Sequence, residues 1–200
     1  RTSLESAIQQ CNIKTIVTSQ TMLKKIGLDD LPGMVFLEDI LHSIPRWKMI
    51  GTLIMAFLIP SGFLPRRIYP KRFSPNDLAA ILFSSGSTGE PKGVMISHFN
   101  ILSNLDAITQ ILGSWDNNRF CGILPFFHSF GLTGTLWLPL VKGFGAVYHP
   151  NPMDARRIGE LCKQYQPGVL LTTPTFCKGM IRKCDTDSFT SIHHAVTGAE

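Results

Sequence analysis

The stretch Ser84-Ser85-Gly86-Ser87-Thr88-Gly89-Glu90-Pro91-Lys92-Gly93 gathers hydroxyl side chains, glycines and one lysine into a single predicted loop. A polyphosphate needs that mixture. Glycines let backbone N–H groups approach its oxygens, hydroxyls donate further bonds, and a lysine adds a mobile positive charge. A flexible surface linker has a similar composition, but a linker seldom sits between an apolar run such as Leu78–Phe83 and an ordered Lys-Gly-Val turn. The nucleotide-kinase pattern G-x-x-x-x-G-K-[ST] is the nearest rival, since Gly86 and Lys92 have its separation. Here Pro91 lacks an N–H and Gly93 lacks a hydroxyl for magnesium, so that rival loses a donor and a metal ligand.

The elements that must position this loop follow from periodicity. Leu78-Ala79-Ala80-Ile81-Leu82-Phe83 reads as a strand feeding directly into it, and Ile101, Leu105, Ile108 and Leu112 are spaced as one helix face, with Ser97 as N-cap. Further strands are expected at Thr15–Thr18, Met34–Leu37, Gly122–Pro125, Gly145–Tyr148 and Val169–Thr173. A helix start is expected near Ser3–Ile8, and an amphipathic helix over Asp154–Tyr165. Strands spaced by helices are what a mainly parallel sheet flanked by helices produces, so the fold class expected is α/β.

From Trp47 to Leu64 the chain is strongly apolar, broken by Gly51, Pro60 and Gly62 and flanked by Arg46, Lys48, Arg66, Arg67, Lys71 and Arg72. Three readings stay open: a buried core or hairpin-like segment, an interfacial membrane contact, and a true span. A span needs about 20 continuous apolar residues, and this run is short and broken for it.

With 44% hydrophobic and 16% charged residues among 200, the chain has the composition of a globular domain. A net charge of +5 demands no nucleic-acid partner. Cys11, Cys121, Cys162, Cys177 and Cys184 are odd in number and show no C-x-x-C pairing, which favours reduced, cytoplasmic thiols and assigns no metal ligand. The start at Arg1 and the stop at Glu200 both read as cuts.

Phe83-Ser84-Ser85-Gly86-Ser87-Thr88-Gly89-Glu90-Pro91-Lys92-Gly93-Val94 resembles the phosphate-loop signature of the adenylate-forming superfamily of acyl-CoA synthetases, luciferases and peptide-synthetase adenylation domains. Two further segments resemble that family in its order. Pro125-Phe126-Phe127-His128-Ser129-Phe130-Gly131 is similar to its P-x-x-H-x-x-G segment, and Thr197-Gly198-Ala199-Glu200 to the start of its adenine loop. A lone histidine between aromatics is more often a packed core residue; its place in the motif reverses that expectation.

The resemblance, from about Ser3 to Glu200, implies a fragment of the large N-terminal AMP-binding domain, without the C-terminal lid domain. It implies ATP and Mg2+ as cofactors, with Ser84, Ser85, Gly86, Ser87, Thr88, Gly89 and Lys92 around the phosphates and Gly198, Ala199 and Glu200 at the adenine. Lys92 and His128 are the implied catalytic residues, His128 bordering the acyl group. The implied reaction joins a carboxylic acid, expected to be a fatty acid, to CoA or acyl carrier protein. The apolar segment's placement resembles the acyl-acyl-carrier-protein synthetase half of bifunctional lysophospholipid acyltransferases. The other expectation is an inactive nucleotide- or partner-binding module, since the family's lysine-bearing lid is missing from these residues.

Overall fold

The computed structural model describes residues 2–59, 74–85, 91–112 and 119–199, the side chains of 2, 3, 85, 111 and 112 excepted. The chain divides into two units, Arg1–Ser74 with Phe83–Gly93, and Pro75–Leu82 with Val94–Glu200.

In the first unit, α1 (Thr2–Gln10), β1 (Ile16–Thr18), α2 (Gln20–Ile26), β2 (Met34–Phe36), α3 (Leu37–Ser43) and α4 (Arg46–Leu58) follow one another. β1 and β2 pair in parallel, Ile16 opposite Met34 and Thr18 opposite Phe36. Ser19 caps α2 by accepting the Met22 N–H at 3.1 Å, and Gly27, at φ 64°, ends it in the left-handed conformation that glycine adopts without steric cost. Leu37 opens α3 instead of ending the strand.

The Trp47–Leu64 region corrects the core or hairpin reading. Residues 46–58 form one continuous helix, and none of them is buried. Gly51 is absorbed because a single glycine costs a helix only about 1 kcal/mol. Residues 60–64 lie outside the described residues. Among the described residues no helix is long and apolar enough to cross a membrane.

β3 (Leu78–Ser85) and β4 (Pro91–Ser97) form a separate two-stranded sheet. The single-loop reading of Ser84–Gly93 is therefore too long. Ser84 and Ser85 stand on β3, and Pro91, Lys92 and Gly93 stand on β4, because strand pairing continues through residues whose local preference is for turns. The Ser97 hydroxyl accepts the Asn100 N–H at 3.2 Å while Asn100 Oδ1 accepts the Ser97 N–H at 3.0 Å, a reciprocal cap that starts α5 (His98–Leu112).

The second unit is built on a parallel sheet of β5 (Arg119–Gly122), β6 (Gly145–Tyr148), β7 (Val169–Thr172) and β8 (His194–Thr197), in spatial order β6-β5-β7-β8. Register runs Phe120 to Val169 and Leu170 to Ala195. The connections are a π-helical turn, Gly131–Trp137, with α6 (Leu138–Lys142); then α7 (Ala155–Tyr165); then α8 (Pro174–Lys183) and a 3-10 turn, Thr186–Phe189.

Side chains alternate across this sheet. Phe120, Val169 and Leu171 pack with Ile101, Leu105 and Leu138 of α5 and α6 on one face, while Cys121 and Leu170 pack with Ile158, Cys162 and Met180 of α7 and α8 on the other. Every residue of β7 is buried, as expected of a parallel strand covered on both faces. α7 presents Ala155, Ile158, Gly159 and Cys162 as one buried stripe, and the Asp154 carboxylate caps it by accepting the Arg157 N–H at 3.3 Å. The α/β expectation holds. The strand expected over Gly122–Pro125 lies three residues earlier, since Gly122 is the last residue with partners on both sides, Tyr148 and Leu171.

Candidate functional site

β5 sends its chain to β6 over one face of the sheet, whereas β7 sends its chain to β8 on the opposite side of β5. Between neighbouring strands whose connections diverge, a crevice opens outside their carboxyl ends, the usual binding place of open parallel sheets. A cavity of about 280 Å³ lies there. Leu124, Pro125 and His128 reach it after β5, Thr173 and Phe176 after β7, and Ala199 after β8. Phe130 closes one wall.

His128 sits on a tight turn. Its N–H donates to the Pro125 carbonyl at 3.2 Å, and its own carbonyl accepts the Leu132 N–H at 2.8 Å. The imidazole is exposed, lies 4.4 Å from the Phe127 ring, and has no hydrogen-bond partner among the described residues. Of the described side chains lining the cavity it is the one ionisable group.

Gly131 allows the turn to close. A Cβ at that position would fall inside contact distance of the Pro125 carbonyl oxygen. Behind it, Thr135 is fully buried, its hydroxyl donating to the Gly131 carbonyl at 2.6 Å, and the Tyr148 hydroxyl donates to the Thr135 carbonyl at 2.8 Å. Burial pushes the Tyr148 phenol above its ordinary value of 10.0. Its ring meets Phe126 edge to face at 5.6 Å, steadying the segment that carries His128.

The Gly198 N–H donates to the Thr172 carbonyl at 3.2 Å, and Ala199 then adopts φ 56°. Left-handed backbone costs an alanine roughly 1–2 kcal/mol, a strain that turns the chain off β8 and onto the cavity wall. Thr173 caps α8 by accepting the Phe176 N–H at 3.3 Å, so the positive end of that helix dipole borders the same space.

The sequence-derived sites thus divide. His128, Gly198 and Ala199 lie in the second unit, with His128 and Ala199 lining one cavity. Ser84 and Lys92 are exposed strand residues of the first unit. Gly86, Ser87, Thr88, Gly89 and Glu200, and the side chain of Ser85, lie outside the described residues. Thr173 and Phe176 were missed. The signal for them is Thr173-Pro174 directly after an apolar strand, a helix-start signature that places a cap at a strand's carboxyl end. Among the described residues no three His, Cys, Asp or Glu side chains converge on a metal position.

Known proteins resemble the chain in sequence and in fold. The chain is 29% identical over 140 residues to the "Long-chain-fatty-acid--CoA ligase" of Bacillus subtilis (strain 168), covering 65% of this chain and 24% of that protein. It is 41% identical over 69 residues to the "Medium-chain-fatty-acid--[acyl-carrier-protein] ligase TtuA" of Teredinibacter turnerae, covering 34% and 11%. The chain therefore spans a quarter or less of the length of these curated relatives. The solved fatty acyl-adenylate ligase of L. pneumophila, in complex with acyl adenylate and pyrophosphate, superposes with a TM-score of 0.72 at 21% identity, over 99% of this chain and 33% of that one, and shows the same fold. Since the AMP-binding enzyme family matches residues 2–200, nearly the whole sequence, the chain belongs to that family.

Proposed function

We propose that the chain is part of an ATP-dependent ligase that activates a carboxylic acid as its acyl-adenylate and passes the acyl group to a thiol. The observation that carries this reading is the cavity at the strand ends, which His128, the strained Ala199 and the α8 N-terminus line together. In the reaction a carboxylate oxygen attacks the α-phosphorus of ATP and pyrophosphate leaves. A thiolate then attacks the acyl carbon and AMP leaves. The carboxylate is already a competent nucleophile, so alignment and charge stabilisation supply most of the catalysis and no general base is needed.

In this scheme Ser85, Ser87, Thr88 and Lys92 hold the β- and γ-phosphates, with Ser84 at the loop's entrance, and Gly86 and Gly89 permit close approach. Gly198, Ala199 and Glu200 border the adenine, and His128 orients the acid. Magnesium on the polyphosphate belongs to the same scheme. Phe126, Phe127 and Phe130 around His128 favour a fatty acid. The Bacillus relative is named for CoA and the Teredinibacter relative for an acyl carrier protein, and both for fatty acids. The finer reading, an acyl-acyl-carrier-protein synthetase half of a bifunctional lysophospholipid acyltransferase, rests on the placement of the Trp47–Leu64 segment.

ATP-pyrophosphate exchange by the full-length protein with a panel of carboxylic acids tests the scheme. Lys92→Ala removes a charge-assisted phosphate contact of about 1.5–3 kcal/mol, so kcat/KM for ATP should fall roughly tenfold to a hundredfold. Unchanged ATP use would remove Lys92 from the phosphate grip, and no exchange with any acid would end the activation reading.

A further inference from the structure

α4 is apolar on nearly all sides and yet exposed. Trp47, Ile50, Leu53, Phe57 and Leu58 have 70%, 58%, 59%, 84% and 75% of their surfaces open, and only Lys48 and Thr52 form a narrow polar strip. A helix that is apolar all round is stable only where something covers it. Charge decides what. α4 carries Arg46 and Lys48 and no acidic residue, and in the sequence no Asp or Glu occurs between Asp39 and Asp77. That interval holds six of the 19 basic residues, so the remainder carries 13 basic against 14 acidic. The net charge of +5 therefore arises in the sequence interval that contains α4, where Arg46 and Lys48 stand on the helix itself. A second copy of the chain would bring like charge against like charge. An acidic protein would satisfy the charge but leave the apolar surface in water.

We propose that α4 is an interfacial anchor, lying in the plane of an anionic lipid bilayer with Leu53, Phe57 and Leu58 among the acyl chains and Arg46 and Lys48 at the headgroups. At 13 residues it is about 20 Å long, too short to cross a hydrocarbon core of about 30 Å. Trp47 stands at the charged end, where an amphipathic ring meets the headgroup level. Attachment of this kind would hold the protein where long-chain acids partition. It does not depend on the ligase reading, and binding is measured without ATP or acid.

The test is sedimentation of the full-length protein with vesicles of phosphatidylcholine alone or mixed with phosphatidylglycerol. Binding is expected to the mixed vesicles, weakened but not abolished by salt, with a lipid-induced blue shift of tryptophan emission that Trp47→Phe removes. Phe57→Glu with Leu58→Glu should weaken binding at least about tenfold by taking charge into the acyl region. Arg46→Glu with Lys48→Glu, which leaves the apolar surface intact, should lose roughly tenfold on the mixed vesicles and nothing on pure phosphatidylcholine. No binding at any salt concentration, or binding by both double variants equal to that of the parent protein on mixed vesicles, would overturn the proposal. So would self-association, or capture of acyl carrier protein, that the Phe57/Leu58 variant abolishes while vesicle binding is unchanged.

Discussion

Replacing Gly131 by alanine isolates the packing on which the His128 turn depends. Gly131 is buried at the first position of the π-helical turn, and the added Cβ would press on the Pro125 carbonyl oxygen while standing 2.8 Å from Pro125 C and 3.1 Å from Leu124 C. All three obstacles are backbone, so no rotamer change relieves them. The same carbonyl accepts the His128 N–H, and moving it displaces the histidine. Overpacking costs about 1–3 kcal/mol in general, and an unyielding backbone neighbour places Gly131→Ala at the upper end, roughly 2–3 kcal/mol. Gly134→Ala is the control in the same turn. Its Cβ meets Leu171 Cδ2, the far end of a flexible side chain, and about 1 kcal/mol or less is expected. Urea unfolding of both variants, with m unchanged, reads the difference directly. Acid-dependent pyrophosphate exchange should fall in Gly131→Ala even where the protein remains folded. A midpoint for Gly131→Ala within about 0.5 kcal/mol of the parent, or above that of Gly134→Ala, would refute the reasoning.

Tyr148→Phe should cost about 0.5–1.5 kcal/mol near neutrality through loss of the bond to the Thr135 carbonyl. It should also alter the alkaline limb: the folded phenol keeps its proton above 10.0, where the unfolded one loses it, so that contribution is complete below 10.0 and disappears as pH rises through the folded value. Unfolding midpoints should then fall more steeply with alkali in the parent than in the variant, and parallel curves would contradict this. Asp154→Ala should destabilise by about 1 kcal/mol through loss of the α7 cap, and Asp154→Asn should retain most of it; equal losses would assign the effect to the carboxylate's neighbour His149, whose Nε2 is 3.5 Å from Asp154 Oδ2. The loss of ATP use in Lys92→Ala and the vesicle binding of α4 complete the set.

Features governed by neighbours within one helical turn or one strand were legible from residue types alone. Gly145–Tyr148 and Val169–Thr172 fall where apolar, β-rich runs place strands, the latter one residue short of the expected Thr173, and Ser97 caps the helix that follows it. The phosphate-type composition of residues 84–93 is equally a property of the chain itself. Sequence could not set where pairing stops. Ser84 and Lys92 belong to strands, and β5 ends at Gly122 because its partners end there. Nor could it show that the apolar residues of α4 would lie exposed along one continuous helix, since apolarity reports the need for cover and not the covering partner.

The amino-acid sequence by itself determined the α/β class, the family and the residue types of a polyphosphate loop, because periodicity, capping and motif spacing act over a few residues. Tertiary structure alone decided that Leu124, Thr173 and Ala199, each just past a different strand, would line one cavity with His128. That convergence depends on the strand order β6-β5-β7-β8 and its parallel register, which are set by hydrogen bonds between segments far apart in the chain.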